Sequence, residues 1–333
     1  MVPAPALPRV STALVVALVA LAVVSGAHAA RTVPDTAGRL ASRRTVPSPA
    51  VVGYWGANAN TPALVDVPAT YNVIIFAFAN INAPDNSLDP VTGGFRLTSP
   101  PPDLRAQIKA VKALRPHQRV LFSIGGENDA VEGTSVNFTA AALRNTLAYW
   151  GFDGVDLDLE TVTDAARLTQ IVAMIKGAKA ADPSVMVTMA PQTGFSPGAA
   201  GTLASLAPSF IYSPLLQGLD NGALVDLVNV QFYNNWPCAS TPSACVSAAN
   251  MEAWAGGLAK AMPGLDARKF VAGFPASRQA ATSGYQSPAA MEAFAADVVK
   301  PGTVGGMMTW SVEWDMTTGY AWSTAVAKGL GSR

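Results

Sequence analysis

Residues 151–160 read Gly-Phe-Asp-Gly-Val-Asp-Leu-Asp-Leu-Glu, with carboxylic acids at Asp156, Asp158 and Glu160 and aliphatic residues between them. Alternate side chains of a β-strand point to opposite faces, so the three acids share one face and Val155, Leu157 and Leu159 the other. Three neighbouring carboxylates repel one another when all are ionised, a cost that a purely structural strand avoids. The arrangement is useful where one acid must keep a proton near neutral pH beside others that stay charged, which is the equipment for cleaving a glycosidic bond. A metal site and a solvated edge strand are the plainer accounts. An edge strand does not explain the aliphatic face, and oxygen-only cation sites usually draw their ligands from loops.

Such a strand needs neighbours that hold it. Short apolar runs recur at 51–55, 72–78, 119–124, 154–159, 185–190, 227–233, 269–274 and 306–311. Between them lie segments with helical spacing, such as 103–114, where Leu104, Ile108, Val111 and Leu114 form one stripe. Further helices are expected at 137–149, 164–181, 250–262, 288–299 and 322–329. Apolar strands alternating with helices predict a parallel sheet covered on both faces, and eight repeats in this length predict a closed (β/α)8 barrel, the TIM-barrel class. No Gly-x-Gly-x-x-Gly follows the first strand, so a dinucleotide-binding sheet is not supported. Barrel active sites gather at the C-terminal ends of the strands, where Glu160 falls.

With the acids placed on the fourth strand, the chain resembles the family-18 glycoside hydrolases, the chitinases and their relatives. The resemblance rests on Asp153-Gly-Val-Asp156-Leu-Asp158-Leu-Glu160 and on Ser123-Ile124-Gly125-Gly126 at the third strand. It extends to Met189, to Gln231-Phe232-Tyr233-Asn234 and to Trp310, over the region from about residue 51 to the C-terminus. It implies a substrate-assisted, retaining hydrolysis in which the sugar's own 2-acetamido oxygen attacks the anomeric carbon. Glu160 would be the acid and then the base. Asp158 would orient the acetamide, Asp156 would share its proton, and Tyr233 would hold the acetamide carbonyl. Met189 and Gln231 would line the acetamide pocket and Trp310 would floor it. Tyr54, Phe78, Asn234 and Trp236 would extend the binding surface. Asp153, Ser123, Gly125 and Gly126 are read as structural, Asp153 anchoring the start of its strand and the glycines allowing close backbone packing. The short stretch from Phe274 to Gly306 leaves no room for an inserted α+β domain, so an open cleft and internal cutting of β-1,4-N-acetylglucosamine polymers are expected. An endo-β-N-acetylglucosaminidase acting on N-glycans and a non-hydrolytic chitin-binding lectin stay open as alternatives; the lectin reading sits poorly with the acid at Glu160.

Half of the 333 residues are hydrophobic and acids and bases both number 22, a core-rich composition with no basic cluster for nucleic acid. Residues 1–30 carry Arg9, an apolar run from Val10 to Val24 and a small-residue end at Ala29-Ala30, which together predict a cleaved secretory signal peptide. That run is shorter than the roughly 20 residues a bilayer span requires, so no membrane association is expected after cleavage. Residues 31–50 read as a flexible linker and 51–333 as the catalytic barrel. The two cysteines, Cys238 and Cys245, predict a local disulfide in an exported protein. No metal or cofactor is expected. The resemblance implies chitin or chitooligosaccharides as the partners, and a secreted, extracellular monomer is expected.

Overall fold

Eight runs rich in valine, isoleucine and phenylalanine form the strands: β1 (Ala50–Trp55), β2 (Val73–Asn80), β3 (Arg119–Gly125), β4 (Gly154–Asp158), β5 (Met186–Met189), β6 (Leu227–Gln231), β7 (Phe270–Pro275) and β8 (Gly306–Trp310). The structure is a computed structural model that describes residues 45–58, 60–80, 88–127, 138–160, 165–193, 206–207, 209–234 and 247–331. All eight strands pair in parallel with their neighbours. Val52 lies opposite Val73 between β1 and β2, and Ala50 lies opposite Gly306 between β1 and β8. Val228 lies opposite Phe270 between β6 and β7. The sheet therefore closes into a barrel and leaves no exposed edge among these strands.

Strand parity separates two apolar layers. Val52, Tyr54, Ile75, Leu121, Met186, Leu227, Val271 and Met308 pack inside the barrel. Val51, Ile74, Phe122, Val155, Leu157, Val187, Val228 and Phe274 belong to the larger core between the strands and the helices. Those helices are α1 (Leu104–Leu114), α2 (Ala140–Trp150), α3 (Ala165–Ala181), α4 (Ser209–Gly218), α5 (Ala248–Ala261), α6 (Pro288–Phe294), α7 (Val312–Thr317) and α8 (Ala321–Leu330). Thr139, Ser247 and Ser287 cap α2, α5 and α6 by accepting backbone N–H groups. A single 3-10 turn, Leu64–Asp66, replaces the helix between β1 and β2.

Two elements depart from the sequence reading. No helix was expected where α4 lies; Pro214 sits inside it, while Ile211, Tyr212, Leu215 and Leu216 supply the buried face. Burial of that face outweighs the local proline cost. Residues 45–49 were read as linker, but they lie against the barrel. Val46 packs on the interior cluster and the Arg119 guanidinium donates to the Thr45 carbonyl at 3.0 Å. The expected signal peptide, the rest of the linker, Trp236 and both cysteines lie outside the described residues. Among the described residues no helix is long and apolar enough to cross a membrane.

Candidate active site

Asp156 and Asp158 project from β4 into the barrel, 0% and 5% exposed, and Glu160 follows at the mouth. A buried carboxylate needs donors, and Asp156 has three hydroxyls. Tyr54 and Ser123 each donate to its Oδ2 at 2.7 Å, and Thr188 donates to its Oδ1. These donors come from β1, β3 and β5, so Asp156 ties the strands together beneath the mouth. Asn229 is fully buried beside this group, and its side-chain amide favours the charged form of Asp156. Gln231 donates to Asp158 Oδ1 at 3.0 Å and to the Ala190 carbonyl at 2.8 Å. Gln192 donates to Glu160 Oε2 at 2.9 Å.

Proton affinity is raised at all three acids and most strongly at the middle one. Burial pushes the Asp156 carboxyl up, while the hydroxyls of Thr188, Ser123 and Tyr54 pull it back. Asp158 is pushed well above the usual carboxylate range, first by burial and then by the charges of Glu160 and Asp156 on either side. Glu160 is also raised, by burial foremost and by the charge of Glu127. Amide donors oppose both. Asp156, best supplied with donors, is the acid suited to stay ionised, and Asp158 and Glu160 together retain a proton.

Glycines let the backbone approach this row closely. A Cβ on Gly125 would lie 1.9 Å from the Asp158 carbonyl oxygen, and its φ of +116° is a conformation that other residues rarely adopt. The Gly126 N–H donates to that same carbonyl at 2.8 Å. Lys112 and the Val120 N–H hold the Asp153 carboxylate at 2.7 and 3.0 Å, at the opposite end of β4 from Glu160.

Above the acids lies a cleft of about 700 Å³, within the range that takes a few sugar units. Trp310, Phe78, Tyr233, Gln231 and Asn234 line it together with Asp158 and Glu160. Trp310 and Phe78 stack with centroids 5.9 Å apart and planes 22° apart, a broad aromatic floor suited to the C–H faces of a pyranose. The Asn234 side-chain Oδ1 accepts both the N–H and the hydroxyl of Thr282 at 2.8 Å, joining the β6 and β7 loops. A larger concavity of about 1080 Å³ between α1 and α2 contains Asp153 but none of the acids of the row.

Two expected substrate contacts are corrected. Met189 does not line the cleft: Thr188 turns inward to reach Asp156, so Met189, the next residue, faces the outer core. Tyr54 is 1% exposed and lies beneath the floor, its ring 5.7 Å from that of Trp310 and its hydroxyl on Asp156. Four residues escaped the sequence reading. Thr188 and Gln192 touch the acids directly. Tyr212 of α4 accepts the Leu159 N–H at 2.9 Å, steadying the residue before Glu160. Buried Glu313 accepts from the Gly56 N–H at 2.6 Å, from Thr61 at 3.0 Å and from Ser311 at 2.6 Å, linking the loop after β1 to the end of β8. A polar residue at an inward position of β5 and an acid directly after β8 were the available signals.

The comparisons with known proteins agree with this geometry. The family model described as glycosyl hydrolases family 18 matches residues 50–324. Chitinase Chi52 of Paenibacillus xylanexedens is 27% identical over 327 residues, covering 83% of this chain and 60% of its own length. Endochitinase 4 of Metarhizium anisopliae is 30% identical over 268 residues, covering 74% of this chain and 90% of its own. The solved structure of a family GH18 chitinase from Chromobacterium violaceum superposes with a TM-score of 0.64 at 28% identity, covering 87% of this chain and 86% of that one. The chain thus spans about 60% of the length of bacterial relatives such as Chi52.

Proposed function

The chain belongs to glycosyl hydrolase family 18, and we propose that it is a secreted, endo-acting chitinase that cleaves β-1,4-linked N-acetylglucosamine polymers with retention. The observation that carries this reading is the buried row Asp156–Asp158–Glu160, with raised proton affinity, opening into a cleft floored by Trp310 and Phe78. Glu160 gives its proton to the glycosidic oxygen as that bond to the anomeric carbon breaks. The substrate's acetamide oxygen forms the new bond to that carbon, giving an oxazolinium ion. Asp158 faces the acetamide N–H and offsets the developing positive charge, and Asp156 below it, held by three hydroxyls, adds its negative charge beneath the reacting sugar. Glu160, now a carboxylate, removes a proton from the water that reopens the ring. Tyr233 holds the acetamide carbonyl.

Internal cutting is supported by the segment between β7 and β8, which holds only a loop and α6 with its continuation and adds no inserted domain; of this segment only Ala280 lines the cleft. The names of relatives such as Endochitinase 4 are consistent with it. Export rests on the sequence of residues 1–30, and the monomeric state and the Cys238–Cys245 disulfide belong to the same proposal. Incubation with a chitin hexamer and with a high-mannose glycopeptide tests the reading. Cleavage of the hexamer, lowered by orders of magnitude in Glu160→Gln with binding retained, is expected. Release of glycan alone would replace chitin by N-glycans, and an unchanged rate in the variant would show that another acid is the proton donor.

A further inference from the structure

Glu127 directly follows Gly126, whose backbone packs on the Phe78 ring: a Cβ there would lie 3.0 Å from that ring. Glu127 is exposed and lines the same cleft as Asp158, Glu160 and Trp310. It therefore stands at the rim of the aromatic floor, on the side of the acids. No lysine or arginine lines the cleft among the described residues. The sequence extends this asymmetry. The segments after β1, β3, β4, β5, β6 and β8 carry no lysine or arginine; only Arg96, after β2, and Arg278, after β7, break the pattern. Arg278 lies over the Tyr285 ring at 4.8 Å and does not line the cleft. Basic residues such as Arg115, Arg119, Lys179, Arg268 and Lys269 instead lie in the segments entering the strands. A chain with no net charge thus presents a negative cleft.

A fully N-acetylated polymer is neutral and gains nothing from that field. A glucosamine unit carries an ammonium at C2, and a cleft lined by one sign of charge draws in and orients the opposite sign. The reacting sugar must keep its acetamide, because that group supplies the nucleophile. We infer that Glu127 is a specificity-determining residue that favours a protonated glucosamine unit next to the reacting N-acetylglucosamine, making partly deacetylated chitin the preferred polymer. The inference deepens the glycosidase reading and rests on it.

The test compares kcat/KM on a chitin hexamer with that on partly deacetylated chitin at mildly acidic pH, in low salt and in about 0.5 M salt. The composition of the new chain ends is read by mass spectrometry. The wild-type protein is expected to favour the deacetylated polymer, with glucosamine enriched next to an N-acetylated cleavage unit. Salt and Glu127→Gln should each lower the preference by about 2- to 5-fold, the range of a solvent-exposed ion pair. If the hexamer is cut but the preference is absent or responds to neither change, the inference fails while the glycosidase reading stands. The same holds if Glu127→Gln moves only the pH profile. Failure to cut either substrate would remove both.

Discussion

At the scale of single residues, chemistry at this site depends on unequal support for three adjacent acids. Three hydroxyls serve Asp156, while Asp158 and Glu160 rely chiefly on amides from Gln231 and Gln192. The Gln192 N–H donates to the Glu160 carboxyl and so favours its charged form, opposing the upward push of burial. Gln192→Leu removes that donor, and the Glu160 pKa should rise further. The alkaline limb of kcat/KM follows deprotonation of the proton donor, so it should move to higher pH by roughly 0.5–1 unit. A pH profile on a soluble chitooligosaccharide checks this; an unmoved limb would mean that Gln192 does not reach the ionising acid. The acids themselves were legible because period-two spacing of like charges has few other uses. Met189 and Tyr54 were misplaced for a physical reason: a motif places a residue on a strand, whereas a single hydrogen bond such as that of Thr188 decides which residues point inward.

At the scale of elements, β4 is held where its acids can act. Lys112 and Val120 fix Asp153 at its start, and Tyr212 fixes Leu159 just beyond its end. Tyr212→Phe keeps the ring but leaves the Leu159 N–H without its acceptor, a buried loss of about 1–3 kcal/mol. The variant should therefore melt earlier. Its kcat should fall more than its KM rises, because the next residue is Glu160, the proposed proton donor, whose contribution falls in the transition state. A melting curve with steady-state kinetics checks both, and a stability loss without any fall in kcat would confine Tyr212 to a structural role. Six of the eight helices followed from 3.6-residue spacing or from caps; short α7, which starts two residues after β8, was not separated from that strand. Helix α4 was not legible, since proline signals a break locally and only tertiary burial of Ile211, Tyr212, Leu215 and Leu216 reverses it. With α4 unseen, the support that Tyr212 gives to the active strand was invisible as well.

At the scale of the whole molecule, the barrel gathers what the sequence scatters. Tyr54 and Asp156 are 102 residues apart and Gly56 and Glu313 are 257 apart, yet each pair is in hydrogen-bond contact around one mouth. Closure of the eight strands makes this possible, because every strand end meets its neighbours in one ring. The repeat of strand and helix made that architecture readable from composition and periodicity, while the cleft's loops and the charge asymmetry between the two ends emerge only once the ends are known. The central claim is that this ring holds a proton for a sugar whose own amide serves as nucleophile, so the product must keep the configuration of the bond that was cut. Proton NMR of chitin hexamer hydrolysis, recorded before mutarotation, tests this most directly. The account predicts new reducing ends that are initially β, and initially α ends would contradict it.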